Sequence, residues 1–121
     1  MSKKILVVED TEDNRQILRD LLGMAGYQMI EANDGAEGVA MAAEYAPDLI
    51  LMDIQMPVMD GYEATRRIKA DPALQAIPVI AVTSYALSGD EAKARAAGCD
   101  DFVPKPFSPR QLLAKIRKML P

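Results

Sequence analysis

The sequence alternates short apolar runs rich in β-branched residues with longer segments of helical periodicity, and this alternation repeats five times. Continuous apolar runs of this length are typical of strands buried on both faces, while apolar residues three or four positions apart indicate amphipathic helices. Strands joined through helices form parallel sheets with right-handed crossovers. The sequence therefore predicts an α/β fold, a doubly wound five-stranded parallel sheet with five helices. Periodicity alone leaves the order of the strands open.

The predicted strands span residues 4–9, 27–32, 49–53, 79–83 and 102–103, and the second is the most polar. The predicted helices span residues 13–25, 35–46, 61–70, 90–97 and 109–120. Ser108 ahead of Pro109 is typical of a helix start, because serine caps the free amide groups and proline suits the first turn. Gly26 and Gly98 lie where a helix is expected to stop. The 121 residues, half of them hydrophobic, suit a single domain covering residues 1–121.

Composition excludes several classes of function. No apolar run approaches the roughly 20 residues needed to span a bilayer, so no membrane insertion is expected. The start of the chain lacks a signal-peptide pattern, which predicts a cytoplasmic protein. The single cysteine, Cys99, cannot form an internal disulfide, and a chain without histidine cannot build a zinc site of the usual ligands. The net charge of −4 gives no electrostatic footprint for direct nucleic-acid binding and favours protein partners.

Polar residues follow four of the five predicted strands at their carboxyl ends. They are Glu9 and Asp10 after the first strand, Asp53 at the end of the third, Thr83 at the end of the fourth and Lys105 after the fifth. In an open parallel sheet these ends meet at one crevice, where such folds place their chemistry. Three carboxylates held together repel one another unless a cation with oxygen ligands joins them, and Mg²⁺ fits this description best.

Asp53 is the candidate nucleophile of this crevice. A carboxylate is already anionic at neutral pH, so it needs no general base to attack phosphorus. Lys105 supplies a point charge for phosphoryl oxygens, and Thr83 supplies a hydroxyl donor to the same oxygens. The set predicts an aspartyl phosphate on Asp53.

Each of these residues also has a purely structural explanation. Glu9 and Asp10 could be loop acids ahead of a helix capped by Asp13, Thr83 a strand residue and Lys105 a solvated loop lysine. For Asp53 the structural alternative is a turn-forming role. It is less favoured, because a carboxylate that ends an apolar strand is costly unless it is paired or bound to metal. The agreement of independent placements at one crevice favours the functional interpretation.

Four motifs carry a family resemblance that extends over essentially the whole chain. They are Val8-Glu9-Asp10, the stretch from Asp48 to Gly61, the stretch from Pro78 to Thr83, and Val103-Pro104-Lys105-Pro106-Phe107. With these motifs the chain resembles a response-regulator receiver domain, in particular the short free-standing type. The resemblance implies a flavodoxin-like sheet with strand order 2-1-3-4-5.

The resemblance also implies a role for each residue. Asp53 corresponds to the phosphoacceptor, Glu9 and Asp10 to the acidic pair, Lys105 to the phosphate-binding lysine, and Thr83 and Phe102 to the switch pair. Mg²⁺ would be held by Asp10, Asp53 and the backbone carbonyl of Gln55, with Glu9 acting through water. Gln55 and Tyr85 would border the path of hydrolytic water. Glu9 stands where the family more often has Asp, and Phe102 stands where Tyr is also common. Because Phe102 lacks a hydroxyl, a switch that uses its ring must work by packing alone.

The implied function is a phosphorelay response regulator, which accepts a phosphoryl group from a histidine kinase or a histidine phosphotransfer protein and signals to a downstream protein target. It is a phosphoacceptor domain rather than an enzyme in the usual sense, although it catalyses its own phosphotransfer and autodephosphorylation. Since the chain has no histidine, the donor must be another molecule. Residues shared with receivers of hybrid histidine kinases, such as Asn14 and Arg15, leave open that the segment was cut from one.

Three rival functions differ in the residues they require. An aspartyl-phosphate phosphatase or mutase needs a second acid two residues after the nucleophile, where this chain has the amide of Gln55. A phosphorylation-independent binding module is expected to have lost Asp10, Asp53 or Lys105, and all three are present. A nucleotide-binding domain needs a glycine-rich phosphate loop, and neither common form occurs.

Overall fold

The computed structural model describes residues 2–56, 59–83, 90–105 and 107–120, apart from the side chain of Asp90. Its strands are β1 (Lys4–Val8), β2 (Gln28–Ala32), β3 (Leu49–Asp53), β4 (Val79–Thr83) and β5 (Asp101–Pro104). Its helices are α1 (Glu12–Met24), α2 (Gly35–Tyr45), α3 (Gly61–Ala70), α4 (Asp90–Ala97) and α5 (Pro109–Met119). Each predicted element is present, with its ends within one residue of those predicted from the sequence. Tyr85, Pro57 and Pro106, which the sequence analysis used, lie outside the described residues.

The five strands form one parallel sheet in the order β2-β1-β3-β4-β5. The predicted α/β class and the strand order implied by the family resemblance are therefore confirmed. β3 lies at the centre, and all five of its residues are buried. β2 is an edge strand with an exposed or half-buried residue at four of its five positions, as expected for the most polar strand.

Each face of the sheet carries its own hydrophobic core, because successive strand residues point to opposite faces. One core joins the odd-numbered residues of β1 and β3 to Leu18 and Leu22 of α1 and Leu112 and Ile116 of α5. The other joins Leu6, Val8, Ile50, Met52 and Ala81 to side chains from α2, α3 and α4. We call these the α1/α5 face and the α3/α4 face. The position of a residue along a strand therefore decides which face its side chain occupies.

Helix ends agree with the sequence analysis, with one exception. The side chain of Ser108 accepts a hydrogen bond from the amide of Gln111, and Gly26 and Gly98 have positive φ angles of 88° and 107° where helices end. The interpretation of Asp13 as the cap of α1 is wrong. Thr11 occupies the N-cap without a capping side-chain bond, and Asp13 lies inside the first turn, where its charge favours the helix dipole.

Within the described ranges, no helix combines the length and apolar character needed to cross a membrane. Cys99 is buried and packs in the core of the α3/α4 face, as expected for a small structural cysteine.

Candidate functional site

Glu9, Asp53 and Lys105 meet at the carboxyl edge of the sheet, on its α1/α5 face. Each follows by two positions a core residue of that face: Val7, Leu51 and Val103. The two-residue period of a strand therefore directs all three side chains to the same side. Backbone bonds hold this edge in register, because Glu9 N–H donates to Ala32 O at 3.0 Å and Lys105 N–H donates to Thr83 O at 2.6 Å.

The lysine bridges the two buried acids. Lys105 Nζ lies 2.9 Å from Glu9 Oε1 and 3.3 Å from Asp53 Oδ1. The Glu9 and Asp53 side chains are each 3% exposed, and that of Lys105 is 20% exposed. At this depth the charges are poorly screened, so their mutual arrangement controls which of them is ionised.

The protonation of the pair follows from burial and from this one cation. Burial, together with the hydrogen bond and negative charge of Glu9, raises the pKa of Asp53 from 3.8 to about 8. Burial also acts to raise the pKa of Glu9, but hydrogen bonds with Asp53 and Lys105 and the lysine charge outweigh it and lower that pKa to about 2. Burial acts to lower the pKa of Lys105, yet the two acids keep it above its ordinary value. Without a further cation, the site has one positive charge for two buried carboxyls.

Asp10 completes an acidic cluster suited to a hard metal ion. Glu9, Asp10 and Asp53 each offer a carboxylate oxygen, and these oxygens lie within 4.8 Å of one another. Asp10 is exposed at the mouth of the cluster, where water can reach it. Glu9 Oε2 is buried and receives no hydrogen bond from the described residues. An unsatisfied carboxylate oxygen beside two further acids is the donor set that Mg²⁺ prefers, so the residues present fit the predicted metal.

Thr83 lies on the opposite face of the sheet from Asp53. It follows Ala81 by two residues on the α3/α4 face, and its side chain is buried. Gln55 crosses from one face to the other: its backbone N–H donates to Asp53 Oδ1 at 3.3 Å, and its side-chain Nε2 donates to Thr83 Oγ1 at 3.0 Å. Gln55 therefore connects the predicted phosphoacceptor, through its backbone, to the predicted switch hydroxyl, through its side chain.

Phe102 lies on the same face as Thr83. In the sheet it is paired with Ala81, two residues before Thr83, and its half-buried ring packs against the core of the α3/α4 face. The ring therefore lies on the same face of the sheet as the predicted switch hydroxyl, and the sheet itself separates it from the carboxylates.

A close backbone approach shapes the segment that follows Asp53. Gly61 N–H donates to Ile54 O at 3.1 Å, and a Cβ atom at position 61 would collide with the carbonyl oxygen of Asp53 and come within 2.9 Å of Ile54 Cα. Asp60 caps α3 by accepting a bond from the amide of Glu63 at 2.9 Å. The Asp60-Gly61 pair therefore fixes the backbone that presents the candidate nucleophile.

Arg15 supports the site and was not identified as a site residue from the sequence. Its guanidinium donates to Glu9 O at 2.8 Å and to Glu12 in α1 at 2.7 Å, and it lies 3.4 Å from Glu31 in β2. These contacts tie the loop that carries the acidic pair to both neighbouring elements. The sequence offers no signal for them, because an arginine in the first turns of a helix is usually solvated.

A small cavity opens beside the acids on the α1/α5 face. Apolar side chains, among them Leu18, Val82 and Phe107, form its walls next to Glu9 and Asp53. Its low-dielectric walls account for the strong burial effect on both carboxyls. The five residues predicted to share one crevice, Glu9, Asp10, Asp53, Thr83 and Lys105, are all brought to the carboxyl edge of the sheet.

Comparison with known proteins gives one consistent family. The family model described as the response regulator receiver domain matches residues 5–117. The polar-differentiation response regulator DivK of Brucella ovis is 43% identical over 120 residues, which cover 99% of this chain and 98% of that protein. The receiver-domain resemblance seen in the sequence is confirmed.

Two solved structures extend the comparison. The receiver domain of the sensor histidine kinase PA1611 from Pseudomonas aeruginosa, described with a magnesium ion coordinated in its active-site cleft, is 36% identical with a TM-score of 0.91, and the match covers 98% of each chain. The chemotaxis protein CheY4 of Vibrio cholerae is 29% identical with a TM-score of 0.92 over 98% of this chain and 99% of that one.

Proposed function

Because the chain belongs to the family of response regulator receiver domains, which act in two-component phosphorelay signalling, we propose that Asp53 is the residue that accepts the phosphoryl group. The observation that carries the proposal is a carboxylate at the end of β3, buried and only 3.3 Å from Lys105 Nζ. A buried carboxylate beside a fixed cation is costly as a structural feature and useful as a nucleophile toward an anionic group.

The transfer needs few groups beyond these. An ionised Asp53 oxygen attacks the phosphorus of a phosphohistidine, the new O–P bond forms as the N–P bond breaks, and the imidazole leaves with that electron pair. Lys105 Nζ lies where it can bind the incoming phosphoryl oxygens. Since the pKa of Asp53 is about 8 with Lys105 alone, additional positive charge near the acids is needed to keep it ionised at neutral pH.

We assign that positive charge to Mg²⁺, held by Asp10, Asp53 and the backbone carbonyl of Gln55, with Glu9 acting through water. When bound, the ion neutralises charge on the carboxylates and on the transferring group. The unsatisfied Glu9 Oε2 supports the assignment, as does the magnesium ion named for the PA1611 receiver.

Thr83 and Phe102 would transmit the phosphorylated state. A phosphoryl group on Asp53 attracts the Thr83 hydroxyl and Lys105, and the Phe102 ring turns toward the space that Thr83 leaves. The result is a population shift that changes the surface formed by α4, β5 and α5. Tyr85 is proposed as part of that surface, and Gln55 and Tyr85 as neighbours of the hydrolytic water.

Receiver domains interact with histidine kinases and with downstream targets, and they are signalling domains rather than classical enzymes. For this chain we propose a histidine kinase or histidine phosphotransfer protein as donor and a protein, not nucleic acid, as target. Catalysis of its own phosphotransfer and autodephosphorylation belongs to the same proposal. A cytoplasmic location belongs to the same proposal.

Intact-mass measurement tests the proposal. The protein is incubated with a small acyl phosphate, with and without Mg²⁺, alongside Asp53→Asn and the control Asp13→Asn, which alters an exposed acid of α1. We expect a Mg²⁺-dependent gain of one phosphoryl group in the wild type and control, lost on hydroxylamine treatment and absent from Asp53→Asn. No gain with acyl phosphate or with phosphohistidine would overturn the assignment and favour a phosphorylation-independent binding module.

A further inference from the structure

In the unphosphorylated protein, Gln55 contacts both the proposed phosphoacceptor, Asp53, and the proposed switch hydroxyl of Thr83. Its backbone N–H faces Asp53 Oδ1, and its side-chain amide donates to Thr83 Oγ1 at 3.0 Å. Thr83 is only 1% exposed, and the contact is partly buried, so water competes poorly for the hydroxyl. The bond therefore favours one position of the Thr83 side chain, on the α3/α4 face.

A phosphoryl group on Asp53 would favour a movement of the Thr83 side chain. To donate to a phosphoryl oxygen on Asp53, the Thr83 hydroxyl must move toward the side of this edge where the Asp53 and Lys105 side chains lie. That displacement changes the geometry of the contact with Gln55 Nε2, which is anchored through its own backbone beside Asp53. The bond to Gln55 therefore opposes the movement that signals phosphorylation.

The relative strengths of the two bonds decide the outcome. A neutral hydrogen bond raises the ratio of the bonded to the unbonded population by roughly two- to tenfold. A bond from a hydroxyl to a charged phosphoryl oxygen is roughly twice as strong, which corresponds to about ten- to a hundredfold. The contact with Gln55 can thus suppress the active position in the unmodified protein and still be overcome after phosphorylation.

We propose that Gln55 is a positioning residue that holds Thr83 in its resting position and so limits signalling by the unphosphorylated protein. The inference rests on the proposed phosphorylation of Asp53, and it adds a role for the Gln55 side chain that is separate from the role of its backbone carbonyl at the metal. Replacing the side chain leaves that carbonyl in place.

The test observes Thr83 directly. The chain contains three threonines, Thr11, Thr65 and Thr83, so methyl-labelled threonine gives three signals in a proton–carbon NMR spectrum. Thr83→Ser removes one methyl and identifies its signal. The spectrum of the wild type is recorded before and after treatment with acyl phosphate and Mg²⁺, and its mass is measured in parallel. The two positions of the Thr83 signal define a line in the spectrum from the resting to the phosphorylated protein.

Gln55→Met, which keeps the length but loses the amide, and Gln55→Asn, which keeps the amide but cannot reach as far, are then recorded without phosphorylation. We expect both to move the Thr83 signal along that line, reflecting a roughly two- to tenfold larger active population. Gln75→Met makes the same chemical change at an exposed position after α3 and should leave the signal at the resting position.

The possible outcomes distinguish a failure of the Gln55 proposal from a failure of the phosphoacceptor proposal. If the wild-type signal moves on phosphorylation while both Gln55 variants stay at the resting position, Gln55 does not hold Thr83. If the wild-type mass rises and the Thr83 signal does not move, the inference also fails, because no movement exists to be restrained. If the wild-type mass does not rise, the phosphoacceptor proposal itself fails, and the mass reports this independently of the NMR signal.

Discussion

Replacing Asp53 with asparagine should stabilise the metal-free protein at neutral and mildly alkaline pH. Asparagine has nearly the shape of protonated aspartic acid and carries no charge, so it removes the cost of ionising a carboxyl buried beside Glu9. The folded-state pKa of Asp53, about 8, lies above its ordinary value of 3.8. Its contribution to stability is therefore fully present below about pH 4 and is lost as the pH rises toward 8.

The size of the effect follows from the two shifts. Each pKa unit corresponds to about 1.4 kcal/mol, so the rise at Asp53 amounts to about 6 kcal/mol above pH 8. The pKa shift of Glu9 has the opposite sign. Its fall from 4.5 to about 2 stabilises the folded protein by about 3 kcal/mol, a contribution that is present above pH 4.5 and is lost as the pH falls toward 2. Part of that gain disappears with Asp53, whose hydrogen bond is one of its causes. Asp53→Asn should thus gain roughly 2 to 6 kcal/mol at pH 8 and almost nothing at pH 4.

Urea unfolding followed by far-ultraviolet circular dichroism between pH 4 and 9, in a chelator, measures this difference. Asp20→Asn is the matched control, since Asp20 is an exposed acid of α1 that accepts a bond from Gln16 Nε2, and asparagine can still accept it. The free energy of unfolding of the control should follow the wild type at every pH. Excess Mg²⁺ should then stabilise the wild type more than Asp53→Asn, because the ion binds the folded carboxylate.

Parallel curves for the wild type and Asp53→Asn between pH 4 and 8 would refute the reasoning. They would mean that Asp53 ionises in the folded protein as easily as in water, and hence that Lys105 and solvent already compensate its charge. The need for a metal ion at this site would then lose its electrostatic basis.

Two further substitutions probe the backbone and the metal. Gly61→Ala should lower the free energy of unfolding by about 1 to 3 kcal/mol, because its Cβ meets the backbone at Asp53. The control Gly23→Ala, in open space within α1, should raise the free energy of unfolding by about 0.5 to 1 kcal/mol. Urea midpoints distinguish the two variants, and equal effects would contradict the close approach at Gly61. Asp10→Asn should weaken Mg²⁺ binding measured by titration calorimetry by about tenfold or more, with Asp13→Asn unchanged; an unaltered affinity would remove Asp10 from the ligand set.

The sequence predicts the parts of this fold that depend on local chemistry. The span of β3 matches the prediction residue for residue, because a strand buried on both faces must be apolar throughout and ends where Asp53 begins the polar edge. Ser108 likewise fixes the start of α5 by capping it. Thr11 shows the limit of this reasoning, since a residue with a suitable hydroxyl takes the N-cap position without making the capping bond, and its side chain lies 3.5 Å from Asp10 instead.

The contacts that tune the site depend on tertiary geometry and leave no mark in the sequence. Gln55 and Thr83 are 28 positions apart, and their bond requires the paths of the segments after β3 and β4 to be known. The bond from Arg15 to the carbonyl of Glu9 depends on how α1 packs over the first loop. Residue type and strand position bring the acids together, but only packing determines which of them keeps a proton.

The proposed phosphoacceptor and the proposed switch hydroxyl lie on opposite faces of the sheet. Asp53 lies on the α1/α5 face and Thr83 on the α3/α4 face, while the backbones between them, in β3 and β4, are buried and paired in register. Such strands are close-packed and move little. In the proposed mechanism, the effect of phosphorylation on one face therefore reaches the other around the edge of the sheet. Gln55 provides one such connection, through its backbone bond to Asp53 and its side-chain bond to Thr83. Substitutions inside β3 or β4 should therefore alter stability, whereas substitutions of the Gln55 side chain should alter the coupling between phosphorylation and the response of Thr83.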